Sequence, residues 1–467
     1  MTTTVTPTRL ATSVPHLPGR LPLLGDVRGL DVRAPIQSLI RMAGEIGPAF
    51  ERKMFNRRIV LVTGAELAAE LSDEARFEKF IGPALWNLRD IGGDGLFTAL
   101  NHEPNWRKAH DLLHPAFTQS AMRTYHETML DVAGELAEHW DSCAGQRTVE
   151  VSADMTKLTL ETIGRTGFGY SFDSFRAERP HPFVDAMVGA LRHSQRRTFL
   201  KPPYVGDLLW RRAERRNLER LRYMNELVDA VIRERVEHPH ADADDLLELM
   251  LRAARAGGPG ALSEVNIRYQ IITFLVAGHE TTSGALSFAL YYLSKHPDVL
   301  AEATAEVDRV WGAAERPAFE QVAKLRYVRR VLDEAMRLWP TAPVYGRAAR
   351  ADTVLGGRYA MKAGEGVLVV IPAVHRDPDL WGPDALEFDP DRFTSERVKS
   401  RPAHIYKPFG TGERACIGRQ FALHEAVLVL GTILRRYQLE ADPSYELKVQ
   451  ERLTLMPQGF RLALRRR

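Results

Sequence analysis

The sequence has very little cysteine and almost no bias of charge. Cys143 and Cys416 are the only cysteines among 467 residues, so the chain can build neither a disulfide framework nor a four-cysteine metal site. This scarcity favours a reducing compartment, and we expect a cytoplasmic protein. The 63 basic and 60 acidic residues leave a formal net charge of +3, which gives no reason to expect nucleic acid as a partner.

Long apolar segments are also missing. Residues 1–18 are rich in Thr and Pro and lack the apolar core of a signal peptide. The run Ile271–Ala277 is far too short to cross a bilayer, so we expect no membrane anchor. With 45% apolar and 26% charged residues, the composition is that of an ordinary globular chain, large enough to bury a bulky cofactor.

No internal repeat or low-complexity linker divides the chain. We predict an extended amino-terminal lead-in over residues 1–20 and one large domain over residues 21–467, mainly α with a minor β part (α+β). Helical patterns dominate from about residue 104 to 255, and Ser263 can cap a long helix that ends near Ser294. Further predicted elements are a helix at about Val322–Leu338, strands at Arg58–Thr63 and Gly366–Ile371, and a last hairpin near Leu453–Leu464.

The segment Phe409–Gly418 carries the strongest chemical signal. It reads Phe-Gly-Thr-Gly-Glu-Arg-Ala-Cys-Ile-Gly and places Cys416 just ahead of an apolar helical pattern. The positive end of that helix and nearby backbone N–H groups favour the thiolate. Gly412 and Gly418 allow tight turns close to a flat ligand, and Arg414 can reach an anionic group on its edge. The pattern suits a thiolate bound axially to a haem iron, the alternative being a buried structural cysteine.

The same segment superficially matches a dinucleotide-binding fingerprint. The match is Gly410-x-Gly412-x-x-Ala415. That fingerprint needs a strand running directly into it, whereas Lys407-Pro408 precedes it here. We therefore reject a nicotinamide or flavin nucleotide at this position.

The pattern Phe-x-x-Gly-x-Arg-x-Cys-x-Gly resembles the haem-binding loop of the cytochrome P-450 superfamily. The resemblance implies the cytochrome P-450 fold and haem b as cofactor, with Cys416 as the axial ligand of the iron. Trp106 and His110 resemble the helix that meets a haem propionate, although an ordinary half-buried tryptophan on an amphipathic helix would read the same. The residues implied to contact the cofactor are Cys416, Phe409, Gly410, Arg414, Trp106, His110 and Lys79.

A second motif lies in the middle of the predicted long helix. Ala277 and Thr281 are four residues apart and share a face, while Gly278 lets a small ligand approach the backbone. The resemblance makes Thr281 a hydrogen-bond donor in oxygen activation and Glu280 a participant in proton delivery. The alternative is that Thr281 bonds back to its own helix. A zinc-protease helix is excluded, because Ser283 stands where the second histidine is needed.

A structural triad is implied by three charged residues. Glu334 and Arg337 have the Glu-x-x-Arg spacing that puts both charges on one helical face. Taken alone, such a pair usually forms a solvated salt bridge. The resemblance adds Arg392 and implies that the three residues hold the scaffold of the cysteine loop.

Over residues 20 to the carboxyl end, the chain resembles one branch of the family more closely. This branch comprises the bacterial self-sufficient fatty-acid hydroxylases, whose haem domain is fused to a diflavin reductase. The sequence stops at Arg467, so we expect electrons from a separate donor, a ferredoxin or flavodoxin with its reductase. The branch anchors a fatty carboxylate with an arginine and a tyrosine; Arg57 matches the first, but Leu61 replaces the second. The expected substrate is a small apolar organic molecule, a fatty acid or a specialised metabolite.

Substrate contacts are also implied by the resemblance. Phe97 would stand over the haem, and the pocket would be flanked by Leu85, Ala342, Val344, Leu453 and Thr454. The segment between Arg192 and Arg222, a lid in relatives, is dense in arginine. We expect a solvated, salt-bridged helix face there, the alternative being recognition of an anionic or carrier-linked substrate.

The sequence therefore predicts a haem-thiolate monooxygenase. Such an enzyme inserts one atom of O2 into a C–H or C=C bond of its substrate. Two alternatives remain: a peroxide-driven haem hydroxylase or isomerase that needs no electron donor, and a non-catalytic haem sensor or carrier.

Overall fold

Helices dominate the chain and strands are few. The computed structural model describes residues 14–26, 31, 33–55, 57–177, 179, 181–200, 206–239 and 244–467. The helices are α1 (Pro35–Ile46), α2 (Ala65–Glu70), α3 (Pro83–Gly92), α4 (Pro104–Leu113), α5 (Met122–Asp141), α6 (Val151–Phe168), α7 (Pro182–Leu200), α8 (Gly206–Glu237), α9 (Leu246–Ala256), α10 (Glu264–Lys295), α11 (Pro297–Trp311), α12 (Phe319–Val322), α13 (Arg326–Leu338), α14 (Ile371–Val374), α15 (Pro378–Trp381), α16 (Ser395–Ser400) and α17 (Arg419–Arg436).

The strands are short. They are β1 (Ala49–Met54), β2 (Arg57–Val62), β3 (Phe77–Lys79), β4 (Val149–Glu150), β5 (Val344–Ala349), β6 (Thr353–Leu355), β7 (Tyr359–Met361), β8 (Gly366–Val370), β9 (Tyr437–Ala441), β10 (Val449–Glu451), β11 (Leu455–Pro457) and β12 (Arg461–Arg466). The prediction of a mainly α chain with a minor β part is confirmed.

The chain divides into two compact units. As far as they are described, the β-rich unit comprises Met1–Gly82, Pro343–Glu387 and Lys399–Ala415, and the helical unit comprises Pro83–Ala342, Phe388–Val398 and Cys416–Arg467.

The β-rich unit is built on a five-stranded sheet in the order β1-β2-β8-β5-β3. Strands β2 and β8 are parallel, and the other neighbours are antiparallel. Helix α1 packs its buried side chains Leu39 and Met42 against Phe50, Leu61 and Val370 of this sheet. The strands predicted at Arg58–Thr63 and Gly366–Ile371 correspond to β2 and β8 with shifts of one residue at their ends.

The helical unit is organised around α10. This 32-residue helix is buried along most of its length and packs against α6, α13, α17, α3 and α8. The side chain of Ser263 accepts a hydrogen bond from the Asn266 N–H, and His296 ends the helix after Lys295. The prediction of a long helix capped by Ser263 is therefore confirmed, since a serine at this position satisfies an N–H of the first turn.

Two element predictions are wrong in part. The helix expected at Val322–Leu338 is divided into α12 and α13, which leaves 323–325 between them. The expected hairpin at Leu453–Leu464 does not form, because β11 pairs with β10 and β12 pairs with β9 and β4. Alternating apolar residues predicted the strands but could not reveal their partners.

The charged triad lies in the core of the helical unit. Glu334 and Arg337 are both 0% exposed, and the Arg337 Nε and Nη2 donate to the two Glu334 oxygens at 2.6 and 2.7 Å. The backbone N–H of Asp389 also donates to Glu334, at 3.0 Å, and the Arg392 Nε lies 3.5 Å from the same carboxylate. The carboxylate thus links α13 to the segment around Asp389, and the role of the triad in holding the cysteine loop remains a prediction.

We expect removal of the Arg337 charge to lower the denaturant concentration at which the protein unfolds. We expect Arg337→Met to lower the free energy of unfolding by about 3–5 kcal/mol, because it leaves the Glu334 charge buried beside fewer donors. Urea titration followed by circular dichroism measures this. Arg329→Met is the matched control, since Arg329 pairs with Asp333 on the same helix at a partly exposed position and should lose about 1 kcal/mol or less. Equal losses in both variants would contradict the scaffold role.

Candidate functional site

Cys416 lies three residues before α17, whose amino-terminal cap is Gly418. The backbone N–H of Gly418 and the charge of Arg419 lower the pKa of the thiol, as the sequence predicts, but burial raises it by more. The net effect is a raised pKa. The helix end and the Gly418 N–H therefore favour the thiolate as expected, but their effect on the pKa is smaller than that of burial. A bound metal ion would shift the balance, because it deprotonates a coordinating thiol outright.

The glycines of the loop differ in their roles. Gly410 and Gly412 have φ angles of 76° and 72°, a region that an L side chain rarely adopts. Gly418 lies in the predicted turn before α17 with φ −81°, a value that any residue can adopt, and its closeness to a flat ligand remains a prediction. At Gly412 an added Cβ would overlap the Glu74 carboxylate, whose Oε1 accepts a hydrogen bond from the Glu413 N–H at 2.8 Å. Glu74 thus holds the loop within the β-rich unit, a contact across 339 residues that the sequence did not reveal.

Lys79 and Arg414 are close enough in the β-rich unit for their charges to interact. Burial lowers the pKa of Lys79 well below its usual value, and the positive charge of Arg414 lowers it further. A desolvated lysine beside a second cation favours an anionic ligand, because a negative charge offsets both the burial of Lys79 and its repulsion by Arg414. The structure therefore brings these two predicted propionate contacts together.

Trp106 and His110 stack in the helical unit, as their spacing of four residues on α4 allows. Their ring centroids are 4.9 Å apart, and Trp106 is 7% exposed. His110 is half-buried, and its Nδ1 lies 3.3 Å from the Asp111 carboxylate. The guanidinium of Arg107 lies over the Trp106 ring at 4.7 Å. Both rings are thus fixed on one side of α4.

A short stretch in the middle of α10 is less buried than most of the helix. Ala277, Gly278 and Thr281 are only half-buried, whereas His279 and Glu280 are buried. Cys416 also keeps exposed surface, although the protein around it is dense enough to desolvate its thiol. The packing of the helical unit therefore leaves space beside residues that the motifs single out.

The side chains on α10 have defined partners. The Thr281 hydroxyl donates to the Ala277 carbonyl at 2.8 Å, which is the back-bonded alternative raised from the sequence. Glu280 is 2% exposed; its Oε2 accepts from the Thr454 hydroxyl at 3.1 Å, and its Oε1 lies 3.4 Å from the Arg452 Nη1. Arg452 was missed by the sequence analysis, since no local pattern links the turn between β10 and β11 to α10.

A small-ligand role for Gly278 remains a prediction. A Cβ added there would make ordinary contact with Ile163 of α6, at 3.6 Å. The absent side chain therefore faces α6, and it allows α6 and α10 to pack closely. His279 is 0% exposed and its Nδ1 lies 2.6 Å from the Leu275 carbonyl, so its ring packs inside the helical unit.

The predicted substrate residues divide between the two units. In the helical unit Phe97, Leu85 and Leu453 are half-buried, Ala342 is exposed and Thr454 is buried; in the β-rich unit Val344 is half-buried at the start of β5. Arg57 begins β2, but its side chain lies outside the described residues. The pocket itself remains a prediction.

The arginine-rich segment is mostly not salt-bridged. Within the described residues, Arg197 reaches Asp90 at 2.5 Å and Glu214 at 3.9 Å. Exposed arginines without an ion pair in the described part of the chain are Arg192, Arg196, Arg211, Arg212, Arg215, Arg216 and Arg222. The expectation of a salt-bridged face therefore holds for Arg197 and Glu214 but not for the seven exposed arginines, whose solvation is confirmed.

Comparison with known protein families identifies the family to which this chain belongs. The cytochrome P-450 model matches residues 15–464, and the chain belongs to the cytochrome P-450 family. Proteins of this family bind haem b through a cysteine thiolate, so the expected cofactor is confirmed. In the helical unit, the thiol of Cys416 before α17 suits an axial ligand of iron. In the β-rich unit, the neighbouring cations Lys79 and Arg414 suit the carboxylate groups of a porphyrin.

Individual relatives are fused proteins. A bifunctional cytochrome P-450/NADPH–P-450 reductase of Bacillus cereus is 46% identical over 442 residues, which are 94% of this chain and 41% of that protein. A reductase fusion of the same name from Bacillus subtilis, numbered 1, is 47% identical over 444 residues (95% and 41%). A self-sufficient cytochrome P-450 monooxygenase of Exserohilum turcicum is 41% identical over 457 residues (98% and 42%).

The chain thus spans about two fifths of the length of these relatives. The predicted similarity to haem domains fused to a reductase is confirmed. No helix in the part of the chain that the structure describes is long and apolar enough to cross a membrane.

The lowered pKa of Lys79 predicts a pH dependence of the haem-free protein. Below that pKa the folded chain must hold a buried cation, so we expect Lys79→Met to raise the free energy of unfolding at neutral pH. The gain should shrink as pH rises toward about 10.5, where wild-type Lys79 becomes neutral in the unfolded state as well. Urea titrations at several pH values measure both effects. A gain in the free energy of unfolding that does not change with pH would contradict a lowered pKa of Lys79.

Proposed function

We propose that this chain is the haem-binding part of a monooxygenase that hydroxylates or epoxidises an apolar organic substrate. The observation that carries the proposal is the environment of Cys416: a single desolvated thiol, three residues before a long helix, with surface left exposed. The names of the relatives, which include a monooxygenase, support the same reaction class.

Each unit contains residues that would hold the cofactor. Cys416 would bind the iron, and Phe409 and Gly410 would line the adjoining loop. Lys79 and Arg414 would bind propionate in the β-rich unit; Trp106 and His110 would donate to propionate from α4 in the helical unit. The haem supplies the activation of O2, and a thiolate ligand favours cleavage of the O–O bond.

The residues of α10 would control protons. Glu280 is kept inside the helical unit by the charge of Arg452 and the hydroxyl of Thr454, so a buried acid is available for proton transfer. The Thr281 hydroxyl already donates a hydrogen bond to the Ala277 carbonyl. It would therefore accept a hydrogen bond in its resting rotamer and become a donor only after rotation about χ1.

Two kinds of electron donor are compatible with the proposed reaction. The sequence predicts a separate ferredoxin or flavodoxin with its reductase, whereas relatives carry an NADPH–P-450 reductase in the same chain. Both deliver single electrons, and turnover with each in turn discriminates them. Turnover with peroxide alone would instead favour the peroxide-driven alternative, and haem binding without any turnover would favour the sensor.

Replacing the proposed iron ligand tests the site directly. We expect Cys416→Ser to abolish the carbonyl band at about 450 nm that this family gives when reduced, because the alcohol does not supply a thiolate. The measurement is a reduced carbon-monoxide difference spectrum. Cys143→Ser is the matched control: Cys143 is 3% exposed and its thiol interacts with the His139 carbonyl and Arg147, so the band should persist. A band in the Cys416 variant would overturn the proposed function.

The proton role of Thr281 has its own test. We expect Thr281→Ala to leave the reduction of the haem intact but to divert electrons from product to hydrogen peroxide, by at least about tenfold, since a general acid–base contribution is typically 100-fold or more. The ratio of product to NADPH consumed measures this coupling. Thr281→Ser keeps the hydroxyl and should stay close to wild type. Unchanged coupling in Thr281→Ala would exclude the role.

A further inference from the structure

The outer side of α8 carries positive charge that the described protein does not neutralise. Its exposed arginines form two rows along the helix, in which neighbours are four or seven residues apart and therefore share a side. The first row contains Arg211, Arg215 and Arg222, and the second contains Arg212 and Arg216. None of these five arginines forms an ion pair with a described residue. We call the two rows the arginine face.

The acidic residues of this part of α8 do not neutralise the arginine face. Glu214 is turned toward α7, where its carboxylate lies 3.1 Å from the His193 Nε2 and 3.9 Å from the Arg197 Nε. Glu219 is exposed in the second row but forms no ion pair with a described residue. Like charges four residues apart on a helix repel each other. The arginine face therefore weakens α8 unless a negative partner binds to it.

The fold covers only the opposite side of α8. Asn217, Met224 and Val228 are at most 5% exposed and lie seven and four residues apart, on the buried side of a helix that packs against α7, α9 and α10. A helix that adsorbs to a lipid bilayer inserts its apolar side, and in α8 that side is already packed inside the protein. A bilayer would therefore meet the arginines alone.

One apolar side chain lies within the arginine face. Leu218 is 62% exposed and falls in the first row, three residues after Arg215 and four before Arg222. Covering a leucine against another apolar side chain is favourable, whereas the phosphate groups of a nucleic acid or of lipid head groups offer it no such contact. Arginines around a central apolar residue are typical of protein–protein interfaces.

The size of the arginine face matches one helix. At 1.5 Å per residue, Arg211 and Arg222 are about 16 Å apart along the axis, which is three turns. A partner helix has the same rise and can present carboxylates at the same intervals of three and four residues. The positive charge is also local: the whole chain has a formal net charge of +3, so the protein would be acidic without these five arginines. A long nucleic acid would therefore gain little beyond the face.

We propose that the arginine face is a docking surface for an acidic α-helix of a partner protein. Carboxylates of that helix pair with the guanidinium groups, which offer two parallel donors to each acid. An apolar residue of the partner covers Leu218. The surface contains none of the residues proposed to hold the haem, and its occupation needs no turnover, so the proposed function and the docking surface can fail independently.

A labelled α-helical peptide of about 20 residues, long enough to be helical in water, tests the surface by fluorescence anisotropy with the haem-loaded protein. The peptide carries glutamates three and four residues apart around one leucine, and a second version has glutamine in place of each glutamate. We expect substitution of Arg211, Arg215 and Arg222 by glutamine in one variant to weaken the acidic peptide about 10-fold, since each exposed ion pair contributes up to about fivefold. Leu218→Gln should weaken it about threefold or more.

Three other arginines provide the matched control. Arg33, Arg309 and Arg326 are exposed and form no ion pair with a described residue, and their substitution by glutamine removes the same net charge. This control should bind the acidic peptide as wild type does, because charges farther away than about 8 Å are screened at physiological salt. Equal weakening in both triple variants would overturn the proposal, since net charge and not the arginine face would then attract the peptide.

Two competing probes distinguish a protein partner from other polyanions. Vesicles of phosphatidylglycerol and a DNA duplex of about 20 base pairs should bind more weakly than the acidic peptide and should be insensitive to Leu218→Gln. The proposal is overturned if either probe binds more tightly than the peptide, if the glutamine version of the peptide binds equally well, or if Leu218→Gln leaves the affinity for the acidic peptide unchanged. It is also overturned if the triple variant of the arginine face unfolds at lower urea concentration than wild type, because the arginines would then be structural.

Discussion

Desolvation of the Cys416 thiol is the constraint on which the proposed chemistry depends. The Gly418 N–H and the charge of Arg419 favour the anion, but burial opposes it and prevails. A thiol in this balance ionises when a metal cation binds to it, so ligation and deprotonation become one event. The loop is therefore suited to a cofactor that carries its own positive centre, and poorly suited to a free nucleophilic cysteine, whose thiolate would have to be stabilised by the protein alone.

The balance between burial and hydrogen bonding also differs among the other buried charged groups of the chain. Glu334 is surrounded by Arg337, Arg392 and a backbone N–H, which is the arrangement of a structural ion pair. Glu280 has one hydroxyl and one guanidinium at 3.4 Å, a looser set that leaves the carboxylate able to exchange partners. Arg52 has none on two of its nitrogens. The number of satisfied hydrogen bonds thus decreases from Glu334 through Glu280 to Arg52, and the cost of keeping each charge buried rises in the same order.

Local patterns predicted local structure well. The cap at Ser263, the length of α10 and the Glu334–Arg337 pair all follow from spacings of three or four residues, and all are confirmed. The failures concern distant partners. Strand β11 returns to β10 instead of pairing with β12, and the Glu74 contact to the cysteine loop joins positions 339 residues apart. Hydrophobic periodicity predicts which face of an element is buried but not which other element covers that face. Neither the β10–β11 pairing nor the Glu74 contact could therefore be predicted from the sequence.

The arginines of the hairpin show why a site needs burial as well as residue type. In the sequence Arg52, Arg57 and Arg58 are equivalent basic residues around one turn, and only family resemblance singled out Arg57. In the structure the Arg58 side chain is 45% exposed and its charge is shared by two carboxylates, so an added anion would compete with partners that are already bound. Arg52 is desolvated and has free donors. Arg52 and Arg58 thus differ in burial and in satisfied hydrogen bonds, and neither difference can be predicted from residue type alone.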